Sequence, residues 1–178
     1  MKKVAVFGNA GGGKSTLSKR LSEITDLPLH VLDKIKSQVD DEGYKRIHQQ
    51  ILVSEQWIID GFGCMETVWL RLNEADTLVF VDLPLYLHFW WVTKRLILGY
   101  FKPPEGWSEN TPVFKTSLSS YRVLWLCHKY LTPKYREYIK QAQSTKSIYH
   151  LRSIEQISQF FESIENERSY KIATKRHA

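Results

Sequence analysis

The segment Gly8-Asn9-Ala10-Gly11-Gly12-Gly13-Lys14-Ser15 constrains this chain more than any other. It matches G-x-x-x-x-G-K-[ST] in full. It stands between an apolar run at residues 3–7 and a helical pattern at residues 14–24 that spaces Leu17, Leu21 and Ile24 on one face. Strand, glycine loop and helix N-terminus in that order make an anion site. Several backbone N–H groups converge on a polyphosphate only in conformations that glycine tolerates, and the positive helix end adds a favourable field. Lys14 is expected to reach the β- and γ-phosphates as a point charge, and Ser15 to ligate Mg²⁺ through its hydroxyl. Thr16 is expected to support the helix start and the α-phosphate, and Gly8, Ala10, Gly11, Gly12 and Gly13 complete the nucleotide contacts. The cofactors implied are ATP and Mg²⁺.

The remaining sequence alternates strand and helix patterns. Strands are expected at residues 28–32, 57–59, 77–81 and 147–151, with helices at about 41–55, 65–75, from Pro84 onward, 113–130, from Pro133 onward, and after Ser153. Ser153 and Gln156 form a capping box for that last helix. Residues 100–112 hold two glycines and three prolines without periodicity and are expected as a surface loop. Apolar strands alternating with helices indicate a parallel sheet covered on both faces, which is an α/β fold whose ligands bind beyond the carboxyl ends of the strands. Gly8, Asp33, Asp60, Asp82 and Arg152 all follow their strands at that edge.

The acids there have more than one reading. Asp60 and Asp82 follow apolar strands as an acid holding a Mg²⁺ water would, and Asp also caps turns and helices at such places. Asp60 is the preferred metal-linked acid. Asp33, which ends the strand after the first helix, either holds and deprotonates an acceptor or caps a helix. Phe89-Trp90-Trp91, with Tyr121 and Trp125, either stack a base or pack between helices, with packing favoured.

Composition excludes several classes. Two cysteines, Cys64 and Cys127, cannot make a disulfide framework and suit a reducing, cytoplasmic compartment. The apolar stretch at residues 83–100 is broken by His88 and Lys94-Arg95, so a buried amphipathic helix is expected and no membrane span. The six histidines show no metal-ligand spacing. A net charge of +6 favours acidic partners. One domain is expected over residues 1–165, followed by a frayed basic tail at 166–178.

Trp57-Ile58-Ile59-Asp60-Gly61-Phe62 and His30-Val31-Leu32-Asp33 make the likeness specific, together with the glycine loop, residues 71–76 and residues 79–84. They resemble the DNA topology modulation (FlaR-type) proteins of the adenylate kinase-like P-loop kinases. The resemblance implies a three-layer P-loop fold, a five-stranded parallel sheet of order 2-3-1-4-5 and a helical lid at about 95–135. It also implies a kinase that moves the ATP γ-phosphoryl group to a nucleotide or another small acceptor. Gly63-Cys64 stands where adenylate kinases continue with Pro-Arg, so the acceptor arginine is missing from its usual place. Arg71 either takes over contact with the acceptor or pairs with Glu74 on its own helix. The lid is poor in arginine, and Arg95 is the first choice to close over the γ-phosphate, ahead of Arg122 and Arg136. Arg152 is expected at the adenine pocket, as the corresponding loop is in related kinases.

Two other functions compete. Asp60-Gly61-Phe62-Gly63 satisfies the D-x-x-G of GTPases, but N-K-x-D is absent from the chain. A nucleotide-dependent regulator acting on DNA topology, with little turnover, would fit the family name and the basic balance. No nucleic-acid reading motif supports direct contact, and the basic residues are scattered. The oligomeric state is left open.

Overall fold

The computed structural model describes residues 1–101 and 113–175. The side chains of residues 95, 96, 98–101, 113–119, 171–173 and 175 lie outside that description. The Arg95 side chain therefore cannot be placed; of the loop expected at 100–112, residues 100–101 belong to a helix that ends at Phe101 and 102–112 lie outside the described residues.

Five strands, β1 (Lys3–Gly8), β2 (Leu29–Val31), β3 (Trp57–Asp60), β4 (Thr77–Val81) and β5 (Ser147–Leu151), form one parallel sheet of order β2-β3-β1-β4-β5. That is the expected order. Successive side chains on a strand point to opposite faces, so the nearly continuous apolar strands feed two cores. Ala5, Phe7, Ile59, Leu78 and Phe80 face one layer, and Val4, Val6, Ile58, Val79 and Val81 face the other. The first layer packs against α3 (Asp41–Val53), α4 (Met65–Glu74) and α7 (Thr132–Ala142) through residues such as Tyr44, Leu72 and Tyr135. The second packs against α1 (Lys14–Thr25) and α8 (Ile154–Lys175) through Leu17, Leu21, Phe160 and Ile164.

Local chemistry sets the element ends. Asp40 caps α3 by accepting a hydrogen bond from the Gly43 amide at 2.8 Å, a contact worth about 1 kcal/mol. At α8 the Ser153 hydroxyl accepts from the Gln156 amide as a capping box requires, whereas the Gln156 side chain accepts from the Arg152 amide at 2.7 Å, one residue before the N-cap. The strand expected at 28–32 is shorter, because the chain turns into a five-residue helix, α2 (Leu32–Lys36). After α5 (Leu85–Phe101) the next described element is α6 (Val113–Leu126), whose end widens into a π-helical segment (Cys127–Leu131) before α7. Among the described residues no helix is long and apolar enough to cross a membrane.

The expected tail needs correction. Residues 166–175 continue α8 as helix, and Arg168 explains why. Its guanidinium donates to the Ile24 carbonyl, an otherwise orphaned acceptor at the end of α1, and to the Asp26 carboxylate at 2.6 Å. Arg20 and Glu165 add a second link between the two helices at 3.0 Å.

Candidate functional site

At the carboxyl edge of the sheet, β1 ends against β4. A Cβ at position 8, where φ is +142°, would overlap the Val81 carbonyl oxygen, so only glycine lets the chain leave the strand there. The loop then turns into α1, whose N-cap is Gly13 with φ 72°. Its fold is fixed by side chains from within and without. Asn9 Oδ1 accepts from the Ala10 amide at 2.8 Å, and Asn9 Nδ2 donates to the Leu124 carbonyl on α6 at 3.2 Å. His88, 1% exposed on α5, donates from Nδ1 to the Ala10 carbonyl at 2.7 Å. Burial, more than any neighbour, holds the His88 pKa below the ordinary imidazole range and keeps the ring neutral against the loop. The Lys14 ammonium donates to the Asn9 carbonyl at 2.7 Å.

This loop lines a cleft of about 470 Å³. Ala10 through Thr16 form one side, and Asp33, Asp60 and Gly61 form the other. Asp60 is 1% exposed, and neither carboxylate oxygen completes a hydrogen bond among the described residues. Burial pushes its pKa up, opposed by the Ser15 hydroxyl and the Lys14 ammonium that face it. A carboxylate this deeply buried, with no completed hydrogen bond although the Ser15 hydroxyl and the Gly61 amide lie beside it, is costly unless a cation joins it. Such a carboxylate beside a hydroxyl suits Mg²⁺, which binds through one or two carboxylates together with substrate phosphates and water. The two residues expected to hold the metal, Ser15 and Asp60, are thus brought together.

Asp33 lies inside α2 and caps no helix, contrary to one of its two sequence readings. Its Oδ1 accepts from the Gly63 amide at 2.9 Å and from the Phe62 amide at 3.1 Å, so the carboxylate ties α2 to the loop after β3. It also remains exposed in the cleft, opposite Lys14. Gly63 explains the departure from Pro-Arg at this loop: φ is +64°, and a Cβ would overlap the Tyr44 hydroxyl. Proline cannot adopt that φ.

Arg71 lies beneath the same loop. It is 1% exposed, and its Nη2 donates to the Gly61 carbonyl at 2.9 Å and its Nη1 to the Phe62 carbonyl at 3.1 Å. The alternative of a pair with Glu74 is not what holds it. Burial lowers its pKa, and the Tyr135 and Tyr44 hydroxyls and Asp33 act in the opposite direction. Arg71 lines a second compartment of about 200 Å³, walled also by Phe62 and by Val123, Cys127, Leu131 and Tyr135. Ala10, Lys14, Asp33 and Gly61 line both spaces, so the two meet between the ammonium and the carboxylate.

Other expectations fall away from the cleft. Asp82 is engaged by Arg136, whose Nε and Nη2 reach its two oxygens at 2.8 and 2.9 Å, and by His150 Nε2 at 2.8 Å. This fixes α7 to the sheet and occupies both the alternative metal acid and one candidate lid arginine. Arg122 is exposed on α6, and Arg152 is exposed after β5 and is not among the residues lining the cleft. Among the aromatics, Phe89 stacks on Tyr121 at 5.6 Å between ring centroids, whereas Trp90 and Trp125 are 62% and 52% exposed. Among the described residues no group of three or more His, Cys, Asp or Glu side chains could hold a metal.

Asn9, His88, Cys127 and Tyr135 had no role assigned from sequence. A signal existed for the first two: Asn9 lies inside the loop motif, and His88 is a polar interruption of an apolar helix. The second pair touches the site only because the π-helical segment and α7 fold back over it, which no local pattern announces.

No family model and no curated protein matches the chain by sequence. Solved structures do match. Shikimate kinase from Acinetobacter baumannii, in complex with shikimate, superposes with a TM-score of 0.55 at 13% identity, covering 96% of this chain and 95% of that one. An uncharacterized protein from Eubacterium ventriosum ATCC 27560 gives 0.50 at 12% identity, with 91% and 97% covered. The likeness is one of fold. The described residues share the α/β P-loop fold of these structures, and the identities are too low to carry an activity or a substrate across.

Proposed function

We propose that this chain is an ATP-dependent phosphotransferase acting on a small-molecule acceptor. The observation that carries the reading is the meeting of two compartments at Lys14 and Asp33. The larger is lined by a complete phosphate-binding loop and a carboxylate–hydroxyl pair suited to Mg²⁺, and the smaller is open to an acceptor. Phosphoryl transfer asks little covalent chemistry of a protein and much positioning and charge neutralisation. The loop amides and Lys14 would hold the triphosphate with its terminal phosphoryl group at the junction. Ser15 and Asp60 would hold Mg²⁺, which supplies further positive charge to the phosphate oxygens. Asp33, anchored by two amides, would orient an acceptor hydroxyl and take its proton. Arg95, on the last turns of α5, is proposed as the cation that closes over the transferring group. The adenylate kinase-like relationship suggested by residues 57–62 belongs to the same proposal, as does a contact of Arg152 with the base.

The test is acceptor-dependent ADP formation from Mg-ATP across nucleoside monophosphates, nucleosides and small hydroxylated metabolites, with an acceptor-free control. Transfer is expected to one class of acceptor. Lys14→Ala should abolish it and weaken ATP binding more than tenfold with an unchanged circular dichroism spectrum. Unchanged ATP affinity in that variant would contradict the reading. ATP binding with no transfer to any acceptor would favour a nucleotide-gated regulator instead.

A further inference from the structure

Two of the helices beside the phosphate cleft turn an apolar and cationic face away from it. Helix α5 rests on the glycine loop through His88, which donates to the Ala10 carbonyl, through Val92, which a Cβ at Gly11 would overlap, and through Trp91 beside Gly13. Its flank at Phe89 and Thr93 meets Tyr121 of α6 by a ring stack and a hydroxyl contact of 2.6 Å. At about 100° per residue, the side of α5 opposite the loop carries Tyr86, Trp90, Lys94 and Ile97. All of them are exposed. Helix α6 buries Leu124, whose carbonyl accepts from Asn9 of the same loop. It leaves Arg122, Trp125 and Leu126 exposed, and Lys129 and Tyr130 follow on the π-helical segment.

Exposed aromatic and aliphatic side chains in one neighbourhood mark a surface that meets a partner. The charge around them narrows its chemistry. Residues 83–101 and 113–136 contain no aspartate or glutamate, although 19 of the 178 residues are acidic. Among the described residues Lys94, Arg122 and Lys129 make no ion pair. A second copy of the chain would set these cations against the same cations, and like charges disfavour that contact. A nucleic acid needs cations along its phosphates and aromatic faces set in a groove. Here the exposed apolar side chains outnumber the cations, and Ile97 and Leu126 give a base no ring to stack on. An anionic lipid surface suits both parts of the face. Tryptophan and tyrosine settle at headgroup level, aliphatic side chains reach the acyl boundary, and lysine and arginine extend to the lipid anions.

We propose that the outer face of α5 and α6 docks the protein on an anionic membrane surface. The helices lie in the interface, since among the described residues none is long and apolar enough to cross a bilayer. The glycine loop, on the other side of both helices, stays in water and open to nucleotide. Docking does not depend on phosphoryl transfer.

The experiment is co-sedimentation of the full chain with vesicles of phosphatidylcholine alone and of phosphatidylcholine with phosphatidylserine, at low and high salt, with tryptophan emission recorded. Binding to the anionic vesicles is expected to exceed binding to the neutral ones by about tenfold or more, to fall with salt and to shift the emission to the blue. Trp90→Gln combined with Trp125→Gln should lower that binding by about tenfold or more, and so should Lys94→Glu combined with Lys129→Glu. These side chains are exposed, so circular dichroism and Mg-ATP affinity should match the wild type in both variants. Equal binding to the two vesicles, no binding to either, or binding that either double variant retains in full overturns the proposal. A poly-dT oligonucleotide bound at lower concentration than the anionic vesicles, and lost in the same variants, would assign the face to nucleic acid. A light-scattering mass of two chains that falls to one in the tryptophan variant would assign it to a second copy. Either result overturns the proposal.

Discussion

Asp60 trades stability for a place in the cleft. Burial is the main cause of its raised pKa, so the folded chain binds this proton more tightly than the unfolded chain does. The ionised carboxylate therefore costs stability above the unfolded pKa, and the whole cost is present once the pH exceeds the folded value. Asp60→Asn is expected to stabilise the metal-free protein at neutral pH by on the order of 1 kcal/mol. It should also weaken ATP binding in Mg²⁺ far more than in EDTA. Denaturant melts and paired titrations measure both, and a destabilised variant with intact Mg²⁺ dependence would contradict the assignment. His48 behaves in the opposite sense. Burial first, and the Arg71 charge second, lower its pKa from 6.5 to about 4. The unfolded chain takes up this proton first as acid is added. Stability should thus fall from about pH 6.5 down to about pH 4, by on the order of 2–3 kcal/mol at roughly 1.4 kcal/mol per pH unit. His48→Phe, which keeps the ring beside Tyr44, should remove that slope from a plot of stability against pH; an unaltered slope would place the titration elsewhere.

At the level of elements, Asp82 joins α7 to the sheet. Burial alone would raise its pKa, but Arg136 and His150 outweigh burial and hold it below the usual carboxylate range. The stability it contributes is present above the unfolded pKa near 3.8 and is lost as the pH falls through the lower folded value. Asp82→Asn should cost about 1–3 kcal/mol at neutral pH, toward the low end because Arg136 is half exposed. Since α7 carries Tyr135, acceptor KM should rise while ATP affinity holds. Much of the architecture was legible because the evidence for it is local. Residues 3–15 contain strand, loop and helix start together, and the strands at 77–81 and 147–151 match their expected limits. That Asp60 and Ser15 would both stand at the carboxyl edge was legible for the same reason, since Asp60 ends β3 and Ser15 opens α1 just after the loop that leaves β1. What could not be read were contacts made at long range. Arg136 reaching Asp82, Arg168 reaching the end of α1, and the π-helical segment closing over Arg71 each depend on where a distant helix packs.

The basic residues behind the +6 charge are scattered along the sequence rather than gathered in one stretch. The basic residues at the C-terminus partly serve packing, with Arg168 bound to α1 and Asp26. ATP binding in the enclosed cradle should therefore fall only modestly between 50 and 200 mM salt, whereas a direct DNA contact would lose orders of magnitude over that range. The central claim is that chemistry occurs where the phosphate cleft and the acceptor compartment meet, with Asp33 facing Lys14. The most direct measurement is single-turnover phosphoryl transfer in wild type and Asp33→Asn, alongside Mg-ATP affinity. Asparagine retains an oxygen for the Phe62 and Gly63 amides but cannot take a proton. The account predicts affinity within twofold of wild type and transfer slowed by about 10²–10⁴-fold. Transfer at the wild-type rate in Asp33→Asn would contradict it.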